Sequence, residues 1–159
     1  MIETERKFLP LNDGWRSRAS RHVRMRQGYF SRAEGYNVRV RIVDGESARL
    51  TIKSRTLPGG VSRYEFEYPI PLEDAETMLA EFCAGRVVEK VRHYVDAGGR
   101  RWEVDEFGGA NAGLVVAELE LERADAPFEK PDWAGEEVTD DPRYGNQNLA
   151  SAPYGGWKD

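Results

Sequence analysis

V-R-V-R-I-V-D-G-E-S-A-R-L-T-I-K-S-R, residues Val38 to Arg55, reads as two alternating runs about a turn. Successive side chains of a strand point to opposite faces, so period two marks a strand whose faces differ. Val38 to Val43 and Arg49 to Arg55 both carry that period, and Asp44-Gly45 between them supplies turn chemistry. The stretch predicts an antiparallel hairpin. One face is apolar (Val38, Val40, Leu50, Ile52); the other carries Arg39, Arg41, Lys53 and Arg55.

The same period extends in both directions. It runs through Ile2 to Leu9, Arg63 to Ile70, Glu89 to Val95, Arg101 to Phe107 and Leu114 to Leu121. Pro58-Gly59-Gly60, Gly98-Gly99 and Gly108-Gly109 separate the runs. Strands joined by short turns predict an antiparallel sheet closed, or nearly closed, on itself. Leu72, Ala75, Met78, Leu79 and Phe82 fall at helical spacing, with Glu73 and Asp74 suited to the first turn. A second, shorter helix is expected near Pro142 to Ala152. Residues 124–137, with Pro127, Pro131 and Gly135, read as loop.

The bulk properties narrow the field. A chain of 159 residues suits a single domain, expected over 1–159. The net charge of −5, without a basic tail or patch, argues against a binder of duplex nucleic acid. No apolar stretch suits a signal peptide or a membrane span. Cys83 is the lone cysteine, so no intrachain disulfide is expected and a cytoplasmic setting fits. Two histidines, His22 and His93, leave little material for a zinc cluster or a Ser-His-Asp triad.

The charges carry the functional signal. Glu3, Glu5 and Lys7 share one strand face; so do Arg63, Glu65 and Glu67, Lys90 and Arg92, Glu103 and Asp105, and Glu118 and Glu120. Any one such face could be the wet side of a sheet. Together they are too uniformly charged for that, since a solvated face mixes in Thr, Ser and Gln. Like charges at i, i+2 lie about 7 Å apart and repel by about 2 kcal/mol at an effective dielectric near 20. Acidic pairs facing a common space need cations, and basic pairs need anions. A lumen holding a divalent metal and a polyanion meets both needs. Carboxylate ligands suit Mg²⁺ or Mn²⁺ rather than zinc, and arginine forks grip phosphate oxygens in pairs.

The N-terminal E-T-E-R-K, Glu3 to Lys7, matches the E-x-E-x-K signature that opens CYTH proteins. V-R-V-R (38–41), L-T-I-K (50–53), R-Y-E-F-E (63–67), V-E-K-V-R (88–92), W-E-V-D-E-F (102–107) and A-E-L-E-L (117–121) follow in order. The tail from Gly135 to Ala150 resembles the family's short bacterial branch. The resemblance to the CYTH, or triphosphate tunnel, family spans essentially the whole chain. It implies a mainly β fold: an eight-stranded antiparallel closed barrel with a few helices outside. It also implies metal-dependent chemistry on a small-molecule triphosphate.

Carried across by residue, the resemblance makes Lys7, Arg39, Arg41, Lys53, Lys90 and Arg92 phosphate clamps, with Lys7, Tyr29 and Lys90 as catalytic candidates. Glu3, Glu5, Glu118 and Glu120 become ligands of the metal or its waters, with Glu65, Glu67 and Asp105 close behind. Tyr29 stands where short bacterial members place a tyrosine that orients the signature lysine; a core aromatic is the plainer reading. Arg55 and Arg63 are expected at the tunnel mouth or, as the plainer reading, at the surface, His93, Trp133 and Trp157 in packing, and Asp140-Asp141 as a helix cap. The leading expectation is hydrolysis of inorganic tripolyphosphate to pyrophosphate and phosphate. An organic triphosphatase for thiamine triphosphate or a nucleotide, an adenylate cyclase and a non-catalytic polyphosphate-binding module stay open. Water activation by metal or by Lys7 also stays open, and the oligomeric state is not indicated.

Overall fold

The hairpin forms as β3 (Tyr36–Val43) and β4 (Ser47–Ser54) in the computed structural model, which describes residues 2–31 and 34–157. Asp44 and Gly45 take φ of 53° and 67°, the left-handed region that the tight turn requires. The other predicted runs become β1 (Ile2–Pro10), β5 (Ser62–Ile70), β6 (Val87–Ala97), β7 (Arg100–Phe107) and β8 (Val115–Glu120). The predicted helix is α1 (Leu72–Phe82).

Two strands went unread. β2 (Ala19–Tyr29) alternates in V-R-M-R, Val23 to Arg26, but in the opposite sense to the rest: its inward side chains are the uncharged Val23, Met25, Gln27 and Tyr29, and Arg24 is exposed on the other face. β9 (Ala134–Glu137) lies inside the segment read as loop. Four residues give a pattern too little length to register. The expected C-terminal helix is broken. A 3-10 turn, Pro142–Tyr144, capped by the Asp141 carboxylate on the Arg143 amide, precedes a short α2 (Asn146–Ser151), with Gly145 between them.

The strands pair antiparallel in the order β5-β4-β3-β2-β6-β7-β8-β1, and β1 pairs back onto β5 to close an eight-stranded barrel. β1 is shared along its length. Ile2 to Thr4 pair with β5, Glu5 to Phe8 pair with β8, and Phe8 and Pro10 pair with β9. The chain after β9 fills the space that β5 leaves beside the second half of β1. Among the described residues no helix is long and apolar enough to cross a membrane.

Apolar side chains gather in three places. Outside β7, β8 and β1, Phe8, Trp102, Val104 and Leu119 pack with Trp15 and Trp133. Outside β3 and β4, Val40, Ile42 and Ala48 pack under Ala75 and Leu79 of α1. Each large apolar side chain buried this way contributes about 1.5–3 kcal/mol. Gly28 lets α1 approach β2, because a Cβ there would stand 2.6 Å from Leu79 Cδ2 and from Cys83 Cβ. The third cluster lies at one end of the lumen, where Tyr29, Val88, Phe107 and Val116 pack with Val138, Tyr144, Leu149 and Ala150. The C-terminal segment therefore stoppers that end. On β5 the outer face is uncovered: Tyr64, Phe66 and Tyr68 remain about half exposed.

Candidate active site in the tunnel

The register decides which side chains meet. Glu3 pairs with Arg63, Glu5 with Glu120, Lys7 with Glu118, Glu103 with Glu118, Arg92 with Asp105, Lys53 with Glu65 and Thr51 with Glu67. Directly opposed residues point to the same side of a sheet, so all the charged faces turn inward together. They surround a cavity of about 710 Å³ lined by all seven predicted clamp and catalytic residues and six of the seven predicted acids. The exception is Asp105, which lies beneath the lining, fully buried.

Much of the expected like-charge repulsion is relieved across strands. Lys7 Nζ donates to Glu5 Oε1 at 3.0 Å and has Glu118 at 3.9 Å. Lys53 Nζ donates to both oxygens of Glu3, at 3.0 and 3.2 Å, with Glu65 at 3.4 Å. Asp105 accepts from Lys90 Nζ at 2.7 Å and from Arg92 Nε and Nη2 at 2.8 and 2.9 Å. Arg92 also donates to Glu103 at 3.2 Å and to Glu118 at 3.5 Å. Arg63 sits 4.0 Å from both Glu3 and Glu5 and lines the tunnel, and Arg55, exposed, joins the lining; of the two readings for these arginines the lining agrees with the tunnel-mouth one. Glu103 also lines the lumen.

Two regions keep a net imbalance. On the acidic side, burial first and then the Glu5 carboxylate push the Glu3 carboxyl up to about 7. Glu120 is raised by burial and by Glu3, Glu103 and Glu5. Glu103 is raised by burial against the pull of Arg92. Glu65 Oε2 is buried without a hydrogen bond, with the Lys53 ammonium 3.4 Å away. Glu5 behaves oppositely: burial works against its charge, but Lys7, Lys53 and Arg63 outweigh it and hold it far below the usual carboxylate range.

On the basic side, burial and the neighbouring Arg39 and Arg92 lower Arg41 to about 9. Burial, with Arg92 and Arg41 adding to it and Asp105 opposing, lowers Lys90 to about 7. Arg39 Nε is buried and unpaired, while Nη2 reaches Thr51 Oγ1 at 3.2 Å. Burial also disfavours charge on Lys7, but Glu5 and Glu118 prevail and keep it well above the ordinary lysine value.

The acidic wall fits a hard divalent cation. Its donors are carboxylates, and their mutual repulsion is what such an ion relieves. Among the described residues no three acids converge closely enough to hold a metal unaided. Mg²⁺-type sites often complete their shell with substrate phosphate oxygens.

Among the described residues no hydrogen bond joins Tyr29 to Lys7. The Tyr29 hydroxyl accepts from Gln27 Nε2 at 2.9 Å, on the side of Arg41. The orienting groups at Lys7 are carboxylates instead. Sequence reasoning missed Gln27, Thr51 and Asn146, which carry no charge and so left no mark in the alternation. His93 packs on Trp15 at 4.9 Å between centroids, Trp133 packs on Trp102, and Trp157 packs on Tyr144, all as read from the sequence.

Comparison with known proteins adds a lineage. The family model described as CYTH domain matches residues 1–152. An inorganic triphosphatase of Acetivibrio thermocellus is 45% identical over 157 residues, covering 99% of this chain and 98% of its own. One from Nitrosomonas europaea is 38% identical over 156 residues, covering 94% and 97%. A crystal structure of an inorganic triphosphatase superposes with a TM-score of 0.66 at 35% identity, covering 94% of this chain and 95% of that one. A conserved hypothetical protein from Pyrococcus furiosus, at 20% identity and a TM-score of 0.61 over 77% of this chain and 80% of that one, shares the fold.

Proposed function

Because this chain belongs to the CYTH domain family, we propose that it hydrolyses inorganic tripolyphosphate to pyrophosphate and phosphate, with Mg²⁺ or Mn²⁺ in the tunnel. The observation that carries this reading is the opposition of two unbalanced walls, one acidic around Glu3 and Glu120 and one basic around Arg39, Arg41 and Lys90. A polyanion chelated to a divalent cation complements both walls at once. The inorganic triphosphatase relatives support the same substrate.

The roles follow from charge and reach. Arg39, Arg41 and Arg92 grip phosphate oxygens with forked donors, while Lys7, Lys53 and Lys90 act as point charges. Glu3, Glu5, Glu118 and Glu120, with Glu65 and Glu67 behind them, would hold the cation or its waters. Asp105 is read differently from the sequence expectation: it is buried beneath the lining, and both its oxygens accept from Lys90 and Arg92, so it braces the basic wall. A bound divalent cation supplies charge neutralisation at the phosphoryl oxygens and acidifies water. Lys7 stays protonated between Glu5 and Glu118 and serves as a clamp, not a base. A polyanion beside Lys90 favours its ammonium form, so binding takes up a proton there. Phosphoryl transfer asks little covalent chemistry of a protein, and such positioning and neutralisation account for most of its catalysis.

The lining supports an inorganic rather than an organic substrate. Among the described residues its only aromatics are Tyr29 and Tyr36, a poor platform for a nucleobase or a thiazolium ring. The test is phosphate release from tripolyphosphate, thiamine triphosphate and ATP, each with Mg²⁺, with Mn²⁺ and with chelator, alongside an assay for cyclic AMP. The expected result is metal-dependent hydrolysis of tripolyphosphate, far faster than the others and abolished by chelator. Full activity in excess chelator, or a preference for an organic triphosphate, would overturn the reading.

A further inference from the structure

Gln27 is fully buried in the basic wall, in a tunnel whose other walls are built of charge. Arg41 Nε donates to Gln27 Oε1 at 2.8 Å, and Gln27 Nε2 donates to Tyr29 Oη at 2.9 Å and to Asn146 Oδ1 at 3.1 Å. Lys90 Nζ donates to the same Asn146 oxygen at 2.9 Å. Guanidinium and ammonium groups have donors only, so both amide oxygens must face them. That leaves the Gln27 NH₂ to find acceptors, and Asn146 Oδ1 and Tyr29 Oη are in place.

The other clamps have a carboxylate nearby: Lys7 has Glu5, Lys53 has Glu3, Lys90 and Arg92 share Asp105, and Arg39 has Glu67 at 3.6 Å. Among the described residues Arg41 makes no ion pair, and its hydrogen bond to Gln27 is to a neutral group. A carboxylate at that position would hold the guanidinium as well or better. It would also be a competitor, since an arriving phosphate would have to break a buried ion pair. An amide oxygen gives the same geometry without cancelling the charge.

We propose that Gln27 and Asn146 are positioning residues that aim Arg41 and Lys90 at the triphosphate, Gln27 doing so while leaving the positive charge of Arg41 free for it. Asn146 opens α2, so the C-terminal segment is tied to the basic wall by the same bonds. Its other anchor is on β1, where the Lys7 amide donates to Thr139 Oγ1 at 3.0 Å. The segment from Thr139 to Asn146 thus straps the lumen from β1 to β2 and β6. This inference rests on the triphosphatase reading above.

The experiment compares Gln27→Glu, Gln27→Met and Asn146→Asp with the parent protein. Tripolyphosphate affinity is measured by titration calorimetry, in chelator and again with Mg²⁺, and melting temperature is measured without ligand. Gln27→Glu pairs with Arg41, so its melting temperature should hold or rise. Its tripolyphosphate affinity should fall about tenfold to a hundredfold, the scale of one hydrogen bond to a charged group. Gln27→Met leaves Arg41 without an acceptor: melting should fall, with a smaller loss of affinity than in Gln27→Glu. Asn146→Asp, at a half-buried position, should follow Gln27→Glu and keeps the test open if a carboxylate at position 27 prevents folding. A purely structural role makes affinity follow stability, so Met is then worse than Glu in both measurements. That result, or affinity in both acidic variants within about twofold of the parent, overturns the proposal. A parent protein that does not bind tripolyphosphate at all removes the triphosphatase reading itself, and this inference with it.

Discussion

Asp105→Asn tests whether the basic wall is braced from within. Asp105 and the Lys90 side chain are wholly buried, and the carboxylate accepts three hydrogen bonds from Lys90 and Arg92. Burial opposes its charge, but Arg92 and Lys90 prevail and hold it far below the usual range. Removing one partner of a buried ion pair costs about 3–5 kcal/mol, because the other charge is left uncompensated. Asparagine keeps the shape and one carbonyl oxygen, which puts the loss near the lower figure. For a chain of this length each kcal/mol moves the melting temperature by roughly 2–4 °C, so a drop of roughly 6–12 °C is expected.

Lys90 sets the pH dependence of that deficit. Its folded pKa, already down to about 7, falls further without Asp105. Above about 7 the amine is neutral in both folded proteins and adds nothing to the difference. Below about 7 the parent holds a proton that the variant resists, so the deficit grows as pH falls. Tripolyphosphate at a hundredfold excess over the dissociation constant stabilises either protein by about 2.7 kcal/mol, and because it also supplies the missing negative charge the deficit between them should shrink. The assay is thermal unfolding from pH 6 to pH 9, with and without Mg²⁺ and tripolyphosphate. A melting temperature within about 2 °C of the parent, coupled to a lost Mg²⁺ response, would make Asp105 a metal ligand and refute the bracing role.

Two further outcomes follow from the geometry. Lys7→Arg keeps the charge but cannot act as a base, so substantial turnover is expected to remain, and Tyr29→Phe should leave the basic limb of the pH–rate profile unchanged; complete loss in Lys7→Arg with substrate binding intact would restore Lys7 as the base. Glu3, raised from 4.5 to about 7, holds a proton when folded that the unfolded chain releases, so its stabilising contribution is full below about 4.5 and is lost as pH rises through about 7. Glu3→Gln should flatten that slope in metal-free unfolding experiments, by up to about 3 kcal/mol at pH 8, and an unchanged slope would contradict the buried position assigned to Glu3.

The alternation from Val38 to Arg55 was legible because a strand between a dry and a charged space must have unlike faces, and that constraint is written residue by residue. The same logic found the charged residues of β1, β5, β6, β7 and β8 and the amphipathic face of α1. It passed over β2, where V-R-M-R alternates with its arginines outward and its lumen side, Val23, Met25, Gln27 and Tyr29, uncharged, and β9, which is only four residues long.

Composition and periodicity thus determined that these charges share faces, and motif order determined which family they resemble. Only the tertiary structure decided which faces meet and which charges cancel. Lys53 reaches Glu3 from fifty residues away in sequence, and Asn146 reaches Lys90 from fifty-six. Arg63 turns into the lumen because β5 closes the barrel on β1 at Glu3. Tyr29 answers to Gln27 rather than to Lys7. The physical reason is that facing is a local property of each strand, set by its own side chains. Partnership depends on barrel register and on the returning C-terminal segment, and those form only when the whole sheet closes.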